Sequence, residues 1–258
     1  MPESSGKGKN MEILYEDEHL IVVWKPPGLE SQSSRGLGAD MVSELRRHIH
    51  NLSPDQGVPY VGVIHRLDKP VSGIMVYARE KNSAGALSRQ VSAGQMDKRY
   101  LAVLCGKVDK NVDKFVDFLL KDEKRNLSRI VDKGITGARC AKLEYRVLKS
   151  IETETRETLT LAEIHLLTGR HHQIRVQMSG HGLPLWGDRK YNPDFVEMKE
   201  RTEPVALSAY RLSFCHPVTG RVMEFCRMPE NGIFRRFDFV EEAFSQADIY
   251  RLQGDDSL

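Results

Sequence analysis

Three short segments carry side chains whose types and spacing could do chemistry. The first is the polar run His65–Arg66–Leu67–Asp68–Lys69–Pro70–Val71–Ser72–Gly73, set between apolar stretches at 61–64 and 74–77. A polar loop held by two strands is where reactive groups tend to sit. Asp68 has Arg66 and Lys69 close by in sequence, and neighbouring cations favour an ionised carboxylate. Such a carboxylate can act as nucleophile, general base or metal ligand. The plain alternative is a turn in which the Asp side chain bonds nearby backbone.

The second segment, Thr168–Gly169–Arg170–His171–His172–Gln173–Ile174–Arg175–Val176–Gln177–Met178, reads as a helix ending near Gly180. On that helix His171, Arg175 and Met178 would share a face. Several long hydrogen-bonding side chains and two arginines suit recognition of phosphate, carboxylate or a base edge. A merely solvated basic start is a poor alternative, because cations are disfavoured at a helix N-terminus. The expectation is that an anion or a carboxylate compensates. By type alone His171, His172, His181 and Asp188 are metal-ligand residues, but adjacent helical residues point about 100° apart, so His171 and His172 do not easily share one ion. No HExxH, paired CxxC, GxGxxG, GxxxxGK[ST] or GxSxG is present. Neither a metal nor a cofactor is expected. The third segment is Lys98–Arg99–Tyr100, at the start of an apolar strand: Tyr100 is either a core tyrosine or a ring that stacks on an unpaired base.

These segments need a scaffold. Runs at 13–15 and 20–24 read as two short strands, stopped by Lys25–Pro26–Pro27–Gly28 because proline cannot donate to a ladder. Met41, Leu45 and Ile49 recur at spacing four, a short amphipathic helix. Residues 81–93 read as a second helix capped by Asn82 or Ser83. Further strands are expected at 100–105, 143–148 and 158–167, with a hairpin of 207–215 and 222–226. Residues 110–137 read as short strands and loops, 189–204 as a polar loop, and Phe239, Ala243, Phe244 and Ala247 as a closing helix. Many short strands with few helices and no βα alternation argue for an α+β fold with a large mixed or antiparallel sheet.

The chain of 258 residues is 40% hydrophobic, enough for a real core. It has no run approaching a membrane span and no apolar signal-peptide core in 1–10, so membrane insertion and secretion are not expected. Four cysteines without CxxC spacing suit a reduced, cytoplasmic protein. The net charge of +2 averages unlike segments. Residues 60–150 hold 19 Lys/Arg against 10 Asp/Glu, while 1–59 and 229–258 are acidic. A basic middle suits a polyanion partner or a solvated basic face.

At these segments the sequence resembles the RluA-like family of RNA pseudouridine synthases. VGVIHRLDKPVSGIMVYAR (61–79) is similar to the family's catalytic motif, KRYLAVLCG (98–106) to its Lys-x-Tyr strand, and TGRHHQIRVQM with HGLPLWGDRKY (168–191) to its Gly-Arg-x-His-Gln-Ile/Leu-Arg motif and Gly-Asp loop. ILYEDEHLIVVWKPPGL (13–29) resembles its opening strand pair. Val71 stands where the family commonly has Thr, and Gln177 where it has His. The resemblance covers 11–228 and implies one pseudouridine synthase catalytic domain over 11–240, with a central mixed or antiparallel sheet, flanking helices and a cleft across the sheet. A disordered lead-in at 1–10, an acidic tail at 241–258 and no separate N-terminal RNA-binding domain are expected.

The resemblance implies cofactor-free isomerisation of uridine in rRNA or tRNA. Asp68 corresponds to the essential aspartate, as nucleophile at sugar or base or as a base at C2′. Tyr100 corresponds to the tyrosine stacked on the uracil, and Arg175 to the arginine paired with the aspartate. Arg66 would fill the stack or contact backbone when the uridine flips, and Ile174 would wall the uracil pocket. His65, Arg170 and Gln173 are candidates for second-layer or phosphate contacts, and Lys69, Arg79, Lys98 and Arg99 for backbone contacts. A monomer is expected. A non-catalytic RNA-binding or ribosome-assembly protein on the same fold, and a hydrolase using Asp68 with a His cluster, are the other readings.

Overall fold

The computed structural model describes residues 11–33, 39–54, 57–198, 204–230 and 232–237. The closing helix expected near Phe239 lies outside them, as do the lead-in and the acidic tail. The chain divides into two compact units, one of residues 1–95 with 215–223 and one of 96–214 with 224–258.

In the first unit, β1 (Glu12–Glu16), β2 (Leu20–Lys25), β3 (Gly62–Val63) and β4 (Ser72–Ala78) pair antiparallel in the order β1–β2–β4–β3. β4 is buried along its whole length, consistent with its continuous apolar run. The Asp17 carboxylate makes the β1–β2 turn, accepting the amides of His19 and Leu20 at 2.8 Å each. The first helix, α1 (Met41–Leu52), buries Met41, Val42, Leu45 and Ile49, the stripe its spacing predicts, and Asp40 caps it by accepting the Ser43 amide. The second helix, α2 (Lys81–Ser92), starts one residue before the expected caps. Glu80 is its N-cap and makes no side-chain cap bond, while Ser83 donates back to the Glu80 carboxylate at 2.7 Å.

The second unit is built on β5 (Asp97–Cys105), β6 (Val112–Asp122), β7 (Leu127–Val131), β8 (Arg139–Glu152), β9 (Thr158–Leu166) and β10 (Leu207–Cys215), in the order β10–β5–β9–β8–β6–β7, all antiparallel. β11 (Val222–Cys226) pairs with β10, the expected hairpin. Residues 110–137, expected to be short strands and loops, instead hold the eleven-residue β6 and a tight β6–β7 hairpin whose turn includes Asn126 at φ 51°. The helix read over 168–180 is shorter than expected: α3 is Gln173–Gly180, because His172 adopts a left-handed backbone at φ 53° and breaks the run. His171 therefore does not share a helical face with Arg175. A one-turn helix, α4 (Pro193–Val196), interrupts the expected polar loop.

Strand alternation decides what faces what. On β5, Leu101 and Val103 point into a core with Leu159, Leu161, Tyr210, Ile233, Phe234 and Phe237. Arg99 shares that face, and Lys98 and Tyr100 point to the other. Val176 of α3 packs on Leu119 of β6 and Ala141 of β8. No described helix is long and apolar enough to cross a membrane.

Candidate functional site

In the first unit, the loop bearing Asp68 is clamped from behind by the turn after β2. Ser31 Oγ accepts the Leu67 amide at 3.0 Å and donates to the Leu67 carbonyl at 2.8 Å. Lys25 is fully buried, and its ammonium donates to the carbonyls of Pro26 (3.0 Å), Leu29 (2.7 Å) and Lys69 (3.3 Å). Gly28, at φ 84°, turns its amide onto the same Lys69 carbonyl at 2.7 Å. Leu67 and Val71 are buried to either side of the half-exposed Asp68. Val71, at 2% exposure, anchors the end of the loop by burial. The turn closes through the Asp68 carbonyl, which accepts the Val71 amide at 3.0 Å. His65 accepts the Val76 amide at 3.3 Å, which ties the start of the loop to β4. Arg66 is exposed, Lys69 pairs with Glu30 at 3.1 Å, and Arg79 pairs with Glu16 at 3.0 Å.

In the second unit Tyr100 is 6% exposed on β5. Lys98 shares its face and reaches the Thr168–Gly169–Arg170 turn, where its Nζ lies 4.0 Å from the position a Cβ on Gly169 would take. Burial lowers the Lys98 pKa, against the neighbouring Asp97. Arg99 points the other way, to Asp97 (3.1 Å) and the buried Glu163 (3.3 Å). Arg146 and the Tyr210 hydroxyl meet the same Glu163, so Arg99 belongs to a cross-strand charge ladder on the far side of β5 from Tyr100.

The turn before α3 is organised by Gln173. Its amide oxygen accepts from Thr168 Oγ1 (2.8 Å) and the Arg170 amide (2.9 Å), and its nitrogen donates to the Lys142 carbonyl (3.1 Å). At 3% exposure it is turned inward, which suits the second-layer alternative over a phosphate contact: it shapes the turn. Arg170 is exposed and donates its Nε to the Cys140 carbonyl. Ile174 and Arg175 are each 4% exposed. Arg175 forks Asp188, Nε to Oδ2 and Nη2 to Oδ1, at 2.7 Å each. Asp188 is the carboxylate that a cation in the first turn of a helix calls for. Gln177 is fully buried, and its Nε2 donates to Asp117 at 2.7 Å.

Sequence reasoning missed Lys25, Ser31 and Tyr191, and weighed Asp188 only as a metal ligand. A lysine ending an apolar strand at a Pro-Pro turn was the available signal for Lys25, since such a turn leaves carbonyls unpaired. A cation placed in the first turn of α3, where the helix end disfavours it, was the signal for Asp188.

Comparison with known proteins places these residues in a family. The model of the RNA pseudouridylate synthase family matches residues 19–180, a span containing Asp68, Tyr100 and Arg175. The chain is 32% identical over 219 residues to ribosomal large subunit pseudouridine synthase D of Nitrosomonas europaea, covering 83% of this chain and 60% of that protein. It is 30% identical over 236 residues to ribosomal large subunit pseudouridine synthase C of Salmonella typhimurium, covering 90% and 70%. The human RNA pseudouridylate synthase domain containing 4 structure shares its fold at TM-score 0.69 and 23% identity, over 85% of this chain and 89% of that one. This chain belongs to the RNA pseudouridylate synthase family, as one of its RluA-like members, and its fold is the α+β fold of that family. It spans 60% of the length of the Nitrosomonas relative.

Proposed function

We propose that this protein isomerises particular uridines in structured RNA to pseudouridine. Large-subunit ribosomal RNA is the first substrate to test and transfer RNA the second. In the reaction the C1′–N1 bond breaks, the uracil turns, a C1′–C5 bond forms, the C5 proton leaves and N1 gains a proton. No cofactor is called for. Asp68 is the catalytic carboxylate, Tyr100 stacks on the flipped uracil, Ile174 walls it, and Arg175 is the arginine that aims the carboxylate. Arg66 takes up the space or the backbone left by the flipped base, and Lys69, Arg79, Lys98 and Arg170 serve the RNA backbone. Residues 11–240 are read as one catalytic domain, acting as a monomer in the cytoplasm.

The observation that carries this reading is the Asp68 loop itself. Ser31, Lys25 and Gly28 fix its backbone, and a main-chain bond closes its turn, within a stretch that matches the family model. A rigid loop presenting a half-exposed carboxylate is suited to attack or proton removal at a positioned sugar. The test is tritium release from a large-subunit rRNA transcript labelled with [5-³H]uridine, paired with mapping of pseudouridines in cells with and without the protein. Release from the wild type and none from Asp68→Asn is expected. A wild type that binds the RNA but releases nothing, with an unchanged pseudouridine map, would overturn it in favour of a binding protein.

A further inference from the structure

Two residues outside the proposed catalytic set hold the Arg175 guanidinium. Asp188 takes one edge of it in the fork described above, and both partners are nearly dry, at 4% and 1% side-chain exposure. The Asp188 carboxylate is itself pinned by its own loop, accepting the amides of Lys190 at 2.9 Å and Tyr191 at 3.3 Å. The Tyr191 ring lies against the guanidinium, its centroid 5.3 Å from Cζ. The Tyr191 hydroxyl accepts the Ser128 amide of β7 at 2.7 Å and sits 2.8 Å from His172 Nδ1, while Ser179 Oγ donates to the Tyr191 carbonyl. His171 stacks on His172 at 3.7 Å and reaches Ser128 Oγ and Asn126 of the β6–β7 hairpin.

A buried ion pair is weak support for stability, since well-packed apolar side chains often do as well. What the pair supplies is direction. A fork that engages one edge of a planar guanidinium fixes where its other edge points, and an aromatic face restrains the plane.

We propose that Asp188 and Tyr191 are positioning residues for Arg175: Asp188 aims the guanidinium, Tyr191 restrains it, and Ser128 with the His171–His172 stack ties both to the β6–β7 hairpin. This rests on the role given to Arg175 above. The test compares wild type, Asp188→Asn, Tyr191→Phe and Tyr191→Leu by tritium release from the same rRNA transcript, with kcat expressed per folded molecule and RNA binding measured separately. Asp188→Asn is expected to lower kcat about 100-fold, the scale of a misplacement near one ångström, with KM for RNA changed less than about threefold. Tyr191→Phe, which keeps the ring, is expected to retain more activity than Tyr191→Leu. If Asp188→Asn fails to fold, the Phe-against-Leu ordering decides. An unchanged kcat in folded Asp188→Asn, a loss confined to KM, or equal activity of the two Tyr191 variants overturns the proposal and leaves the reading of Asp68 standing. A wild type without turnover overturns both.

Discussion

Asp68 sits in a turn closed by a main-chain bond from the Val71 amide to its carbonyl, and asparagine keeps the shape of its side chain. Asp68→Asn is therefore expected to keep the circular dichroism spectrum and RNA affinity of the wild type and to lose tritium release entirely. Lys98 offers a different check. Burial pushes its pKa below the ordinary lysine value, so the native state holds that proton less tightly than the unfolded chain. Stability then rises as pH climbs through the native pKa. Lys98→Met removes the charged group, so its unfolding temperature at pH 7 is expected to exceed the wild type's, with the gain shrinking at higher pH. An equal or lower midpoint at pH 7 would show that the ammonium is not penalised. Asp68 and Arg175 stand out in sequence as a carboxylate in a polar loop between apolar runs and a cation at a helix start, whereas the part given to Tyr100 comes from the resemblance alone. Lys25 and Ser31 were not, because a side chain that bonds distant carbonyls and amides leaves no periodic mark. What the sequence does not show for Arg99 is its partner: alternation puts it on the opposite face from Lys98 and Tyr100, but Glu163 comes beside it only once β5 and β9 pair.

At the level of elements, the loops that carry the site depend on backbone approaches that tolerate no added atoms. Gly187, just before Asp188, has φ 73°, and a Cβ there would lie 2.7 Å from the Pro204 carbonyl oxygen. Gly187→Ala thus meets both left-handed strain, roughly 1–2 kcal/mol, and a backbone clash. Its unfolding midpoint and kcat are both expected to fall. Ser31→Ala leaves the amide and carbonyl of Leu67 without their Oγ partner, a penalty of about 1–3 kcal/mol for a buried group. Activity per folded molecule should drop while RNA affinity holds, because the loop loses its register rather than its charge. The first two strands and α1 were readable to within a residue or two, since their apolar spacing and stops are local. The start of α3 was not. Thr168 and Gln173 bond to Lys142, and His171 and His172 to Ser128 and Tyr191. Those tertiary bonds draw 168–172 out of the helix that spacing alone suggests.

Across the whole chain, the excess of cations in 60–150 is less of an RNA grip than its count implies. Lys69, Arg79, Arg99, Lys110, Lys114, Lys121 and Arg146 each pair with a carboxylate. Arg129, Arg139 and Lys142 are exposed and form no ion pair among the described residues. Phosphate contacts by such residues release counterions and set the salt dependence of binding. Arg129→Ala with Lys142→Ala is expected to flatten the dependence of RNA affinity on salt between about 50 and 200 mM, read by filter binding, whereas Lys110→Ala leaves it unchanged. The segment charges were legible in sequence, but their pairing was not, because partners such as Lys114 and Glu144 meet only once β6 and β8 align. The first unit has one more property, which concerns its birth rather than its chemistry. It is completed by residues 215–223, where His216 lies 2.8 Å from the Asp17 carboxylate and Cys215 exchanges two hydrogen bonds with Gln90 across 125 residues. At about 5–20 residues per second, a ribosome needs roughly 6–25 s to make that intervening chain. The emerging first unit therefore waits, with Asp17 and Gln90 lacking these partners, for a strand-turn made 125 residues after Gln90. A stall between the two leaves the Asp68 loop on a unit still short of its last segment.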